Sequence, residues 1–229
     1  MFLNKEKLTI VYLTTNGLIF YRAQGNRSLS LSFPKEIVSD QEIKNKQQFV
    51  TLLTSFINQH KIAPTDMVIL ISSDLCLSHD FNPANPKTSG EIQSFIESTP
   101  FESVGVLNLN REKLITTVTT NKDFYVSLEE VFSKHGFLVT HIVPWAALTL
   151  LGLKNKTGFD QTVVQFIISN YIELKDFNFP HEVKQTPPVA TVEKEVVKKK
   201  SNKQLYVLVG FFVFLLLILA LLLLFRQGA

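Results

Sequence analysis

The sequence predicts an α/β chain: a mixed-sheet domain holding a smaller α+β insertion, followed by one C-terminal transmembrane helix. Three features carry that prediction. An Asn-Gly turn joins two β-rich runs near the N-terminus, helical stripes alternate with short buried strands through the middle, and an uninterrupted apolar run lies near the C-terminus.

The first runs are residues 8–13 and 18–23, joined by Thr14-Thr15-Asn16-Gly17, and Asn-Gly between such runs is the strongest short hairpin signal. Residues 28–33 alternate Ser with Leu and Phe and make a third strand. Phe49, Leu52, Leu53, Phe56 and Ile57 then recur at helical spacing between Asn45 and Lys61, Pro64 closes that helix, and residues 67–71 form a short apolar run typical of a buried strand. This half reads β-β-β-α-β.

A second block reads α-β-β-α-β-α. Thr88 with Glu91 three residues on suggests a capping box opening a helix that turns Ile92, Phe95 and Ile96 inward and stops at Pro100. Residues 104–109 and 114–119 pair as strands. Phe124, Leu128, Val131 and Phe132 mark a helix ended by Gly136, residues 137–143 a strand, and residues 144–151 a short helix. Last come residues 163–168, a turn at Ser169-Asn170-Tyr171, and residues 172–177, which read as a second hairpin repeating the first. The resulting division is a domain over 1–180 with its insertion at about 89–143, a linker over 181–203 and a membrane helix over 204–226.

The membrane helix is the clearest element. From Leu205 through Gly210 to Phe225 there is no charge, amide or proline, and at about 1.5 Å rise per residue the run covers the roughly 30 Å hydrocarbon core. The linker contains Pro187, Pro188 and alternating Glu and Lys, with too few large apolar groups to offset the entropy of ordering. Lys194, Lys198, Lys199, Lys200 and Lys203 precede the span and Arg226 alone follows it before Ala229, so the N-terminal domain is expected in the cytoplasm, at the inner membrane. Those lysines also account for the net charge of +3 by attraction to anionic headgroups, without nucleic acid. The bilayer is thus the first expected partner. Cys76, the single cysteine, has no disulfide partner within the chain, in keeping with a reducing compartment, and reads as a core residue. The sequons at Asn26 and Asn155 would matter only on a secreted face and are read as chance.

Candidate chemistry is sparse. Ser72, Ser73, Asp74, His79 and Asp80 contain the letters of a hydrolase triad, but triads assemble from distant segments, and these residues read as a polar loop after a strand. The five histidines are scattered, so no metal site is expected. A nuclease would need metal-binding carboxylates on the first strand, which has none. Nor do basic and aromatic residues interleave as single-strand binding requires.

Three strands, a helix and a buried strand, then an inserted unit, resemble the first half of an actin-like (ribonuclease H-like) domain. Ile92-Gln-Ser-Phe-Ile-Glu-Ser-Thr-Pro100-Phe101-Glu-Ser-Val104 is similar to the helix, Pro-Phe turn and strand of PilM, the actin-like family of type IV pilus assembly. Phe132-Ser-Lys-His-Gly136-Phe137-Leu-Val-Thr-His-Ile142 with Ala146-Ala-Leu148 similarly resembles that family's helix, turn, strand and last helix. Two departures stand out: the second actin half is reduced to a hairpin, and the chain carries its own span, which PilM lacks. A cytoplasmic actin-like domain followed by one span resembles instead the type II secretion L family, GspL, which continues into a periplasmic domain. An ATPase of this fold needs a glycine-rich turn with an acid, and neither hairpin turn has one.

The resemblance implies a non-enzymatic assembly-platform protein without a cofactor, partnered by other pilus or secretion assembly proteins, with a homodimer also open. Its docking surface is expected around Pro100, Phe101 and Val104, where a sheet edge is available. The alternatives are a degenerate actin-like ATP-binding protein and a tail-anchored trafficking adaptor. The adaptor would show long heptads before the span, and residues 159–203 have none.

Overall fold

The computed structural model describes residues 8–22, 27–111, 113–156 and 158–181, within one compact unit, Met1–Thr186. The span at 204–226, its flanking lysines, the linker beyond His181 and the Asn26 sequon lie outside the described residues. Among the described residues, no helix is long and apolar enough to cross a membrane.

The main sheet has five strands: β1 (Thr9–Thr14), β2 (Gly17–Arg22), β3 (Arg27–Ser32), β6 (Asp66–Ile71) and β10 (Leu138–Pro144), in the order β10-β6-β1-β2-β3. β1, β2 and β3 form an antiparallel meander, while β1 and β10 flank β6 in parallel. Gly17 is required at the first turn, because a Cβ there would strike the Leu31 carbonyl across the sheet. Helix α1 (Lys46–Gln59) makes the crossover from β3 to β6, capped by Asn45, whose side-chain oxygen accepts from Gln48 N at 3.0 Å.

Both faces of this sheet are covered. Val11, Leu13, Leu18 and Phe20 pack on one side with Phe49, Leu53 and Phe56 of α1 and with Leu128, Val131 and Phe132 of α3 (Lys122–Lys134). On the other, Ile10, Val68 and Leu70 meet Trp145 and Leu148 of α4 (Trp145–Leu150) and Val163, Val164 and Ile167 of α5 (Gln161–Ser169). Double coverage is why β6 reads as one continuous apolar run. Gly136, with φ of +84°, ends α3 in the left-handed conformation that glycine adopts at low cost.

The second sheet has three antiparallel strands, β7 (Cys76–Phe81), β8 (Val104–Asn110) and β9 (Ile115–Asn121), in the order β7-β9-β8, with α2 (Thr88–Glu97) between β7 and β8. A two-strand ribbon, β4 (Val38–Ser39) and β5 (Glu42–Ile43), turns through Asp40 and Gln41 at positive φ.

Five sequence expectations are corrected. The segment read as a polar loop after β6 is a short 3-10 turn, Ser73–Leu75, and then β7; residues 77–80 face solvent, so no apolar alternation marks that strand. The strand expected inside the insertion, β10, belongs to the main sheet, and the inserted sheet begins at β7, before residue 89. The second hairpin is instead α5 followed by a 3-10 turn, Glu173–Phe177. With it falls the repeat of the first hairpin. Finally, Thr88 caps nothing: it is the first helical residue, buried, and donates to Asn82 O at 2.5 Å, while Glu91 accepts from Asn85 at 3.2 Å. The ribbon β4–β5 was not anticipated.

Candidate functional site

Pro100 and Phe101 lie between α2 and β8 and Val104 opens β8; Pro100 is exposed and the other two are half-buried. The residues that follow Phe101 open onto a groove of about 450 Å³ running along α3, formed by Glu102, Ser103, Asn121, Asp123, Phe124 and Glu130 with Glu42, Ile43 and Lys46 on the facing side.

Local chemistry holds its walls. The Asn121 side chain accepts from Asp123 N at 3.0 Å, capping α3, and donates to Gln41 O at 3.0 Å, tying the β4–β5 ribbon to the helix start. Lys122 N donates to Ser103 O at 2.9 Å and joins the β8 entry to the same helix. Of the four carboxylates, Glu42 pairs with Lys44 at 2.6 Å and Glu130 sits 3.7 Å from Lys46. Glu102 and Asp123 add two more negative charges beside the apolar Ile43 and Phe124. A second hollow of about 470 Å³ continues along α3 past the shared Val126 and Glu130 to Pro180 and His181. Tyr125 pins that end by donating to Pro180 O at 3.3 Å, and burial pushes its phenol up to about 12. The surface is therefore two adjoining hollows along α3, the first mainly polar and acidic and the second, towards Pro180, mainly apolar. It suits an extended or helical segment bearing both apolar and basic groups.

The first hairpin turn differs from its sequence reading. An acid does reach it, through space: Asp74 Oδ2 accepts from Thr15 Oγ1 at 2.9 Å and from Thr15 N at 3.3 Å. Partial burial opposes ionisation of Asp74, but hydrogen bonds from the Thr15 hydroxyl and N–H help to outweigh it and hold its carboxyl below the usual range. Gln41 donates to Asp74 O at 3.0 Å. Sequence spacing hid this contact, since 59 residues separate Thr15 from Asp74.

The triad letters do not converge. Ser72 is buried, His79 meets Phe81 edge-on at 4.7 Å and lies tilted against Phe95 at 5.7 Å, and Asp80 accepts from Thr116 at 2.5 Å. Cys76 is a free thiol, half-buried, and burial pushes it up to about 12, which suits an inert residue rather than a nucleophile. Among the described residues, no group of three or more His, Cys, Asp and Glu is placed to hold a metal.

No protein-family model matches the sequence, and no curated relative does. Solved structures do. One is the PilM-PilN type IV pilus biogenesis complex, at 10% identity over 63% of this chain and 49% of that one, with a TM-score of 0.45. A second is the cytoplasmic domain of EpsL, an inner-membrane component of the Vibrio cholerae type II secretion system, at 12% identity over 60% and 56%, TM-score 0.36. A third is a Bacteroides thetaiotaomicron protein with an actin-like ATPase fold and unknown function, at 12% over 66% and 58%, TM-score 0.39. The chain resembles PilM and the type II secretion L proteins. It spans about half the length of the structures it matches.

Proposed function

We propose that this chain is a non-enzymatic docking protein of a pilus or type II secretion-like assembly, held at the inner membrane by residues 205–225 with its folded domain in the cytoplasm. The observation that carries the docking role is the pair of hollows along α3, acidic at Glu42, Glu102, Asp123 and Glu130 and more apolar towards Pro180. The assembly context draws its support from the resemblance of residues 92–104, 132–142 and 146–148 to PilM. Anchoring serves such a module by raising the local concentration of whatever it binds. The partner is an assembly protein presenting a segment with basic groups around an apolar one.

The test is the double charge reversal Glu102→Lys with Glu130→Lys in the full chain, followed by co-purification with the assembly proteins encoded nearby. Both residues sit at the surface, so the melting curve should hold while partner recovery drops about tenfold or more, the scale of losing charge complementarity at a groove. Retention of every partner by the doubly reversed chain would refute the docking role.

Asp74 favours a second reading, a degenerate nucleotide site at the first hairpin turn, because it supplies the acid absent from the turn itself. That carboxylate is already committed to Thr15, however, and the glycine complement is a single Gly17. The expected result is no better than millimolar affinity, so about 0.1 mM Mg·ATP leaves the melting temperature unchanged; a clear rise would promote the ATP-binding reading.

A further inference from the structure

We propose that two copies of this chain pair through the outer edge of β3, antiparallel and centred on Ser30, continuing the five-stranded sheet across a two-fold axis. β3 is the terminal strand of the sheet, and among the described residues nothing bonds to its outer side. The opposite terminal strand differs: Ile142 of β10 accepts from Phe179 N at 2.8 Å, and its own N donates to the Asn178 side chain at 2.6 Å, so that edge is closed. Edge strands are ordinarily guarded by charges, proline, a bulge or a cover. β3 carries its one charge at its first residue, Arg27; from Ser28 to Ser32 there is no charge, proline or glycine, and the register with β2 runs without a bulge. An unguarded edge of this kind is a template for another strand.

The register follows from two parities. Phe33 N donates to Asn16 O at 2.8 Å, and in an antiparallel ladder bonded and non-bonded pairs alternate, so Leu31 and Leu29 direct their backbone groups to β2. The clash that a Cβ on Gly17 would meet at the Leu31 carbonyl shows the same direction independently. Ser28, Ser30 and Ser32 therefore turn N–H and C=O outward. Side chains alternate as well: Leu29 and Leu31 pack against the main core, and the three serines are exposed on the other face.

Residues directly opposite each other in a ladder share a face, so a symmetric pair must centre on a residue. Centring on Leu29 or Leu31 would put a non-bonded leucine pair on the axis and leave two bonded serine pairs, where Ser30 makes three. Centring on Ser32 would set Pro34, which has no N–H, opposite Ser30, and centring on Ser28 would pair only the first part of the strand. Centring on Ser30 opposes Ser30 to Ser30, Ser28 to Ser32 and Leu29 to Leu31, and keeps every leucine on the core face in both copies. A second copy thus meets this edge with three bonded pairs and no leucine turned to solvent.

Light scattering on the full chain in detergent micelles tests it, and the register allows a charge swap. Wild type should be a dimer. Ser28→Lys with Ser32→Lys places like charges opposite one another at two points and should weaken the dimer about tenfold. Ser28→Lys with Ser32→Glu opposes each lysine to a glutamate of the other copy and should keep it. Circular dichroism melts confirm folding in both variants, whose changes lie on an exposed face. A wild-type monomer at about 100 µM, well above the micromolar range in which a specific dimer should form, overturns the proposal. So does a double-lysine chain that stays as dimeric as wild type, or a lysine-glutamate chain that dissociates as the double-lysine chain does.

Discussion

His141 shows how a residue outside the groove sets a measurable property. It is buried at 7% exposure, its Nδ1 lies 2.9 Å from Thr140 Oγ1, and its ring meets Tyr171 edge-on at 4.5 Å. Burial first, and the neighbouring His181 second, lower its pKa to about 4, so the folded protein holds it neutral. An unfolded histidine titrates near 6.5. Between these values the unfolded chain binds the extra proton, so the contribution is intact above about pH 6.5 and is lost as pH falls towards about 4. Melts across that window should show wild type losing stability faster than His141→Gln, and parallel curves would contradict the assignment. Asp74 belongs to the same scale. Its neighbours in sequence gave no hint of Thr15, and only the return of β6 alongside β1 brings the two together.

Helix α5 is where local pattern and observed structure part. Val163, Val164, Ile167 and Ile168 are β-branched, and propensity favours them in a strand. Their spacing of i, i+1, i+4 and i+5 also makes one helical face, and Asp160 caps its start by accepting from Val163 N at 3.0 Å. The second face of the main sheet settles the choice, because those four residues all bury against Leu8, Ile10, Val68 and Leu70 as a helix. Burial of a whole face outweighs a few tenths of a kcal/mol of propensity per residue. Ile167, with no exposed surface, should accordingly lose about 2–5 kcal/mol on truncation to Ala in denaturant unfolding. A loss below about 0.5 kcal/mol, the range of a surface change, would mean that α5 does not cover that face. β7 failed to show itself for the opposite reason: its middle residues bury nothing, and its evidence is the ladder with β9 alone.

At the scale of the whole molecule, the lysines before residue 205 against Arg226 after residue 225 predict a cytoplasmic N-terminus, and a reporter fused at Met1 should be active only on that side. Activity on the far side would reverse the topology and remove the proposed partners with it. The meander, α1, β6, α2, the β8–β9 pair, α3, β10 and α4 were all readable from periodicity, turn residues and the Gly136 stop, because each carries its signal within a short window of sequence. Pro100, Phe101 and Val104 do not line the groove along α3, which no local reading reveals. Its carboxylates come from β5, the β8 entry and α3, segments far apart in the chain that converge only when the two sheets close around α3. Local sequence thus determined most of the elements and their order. Tertiary structure decided which strand joins which sheet, that residues 161–169 are helical, which edge is left open and where the acids meet, since each of these depends on burial or hydrogen bonding between residues that no sequence window contains together.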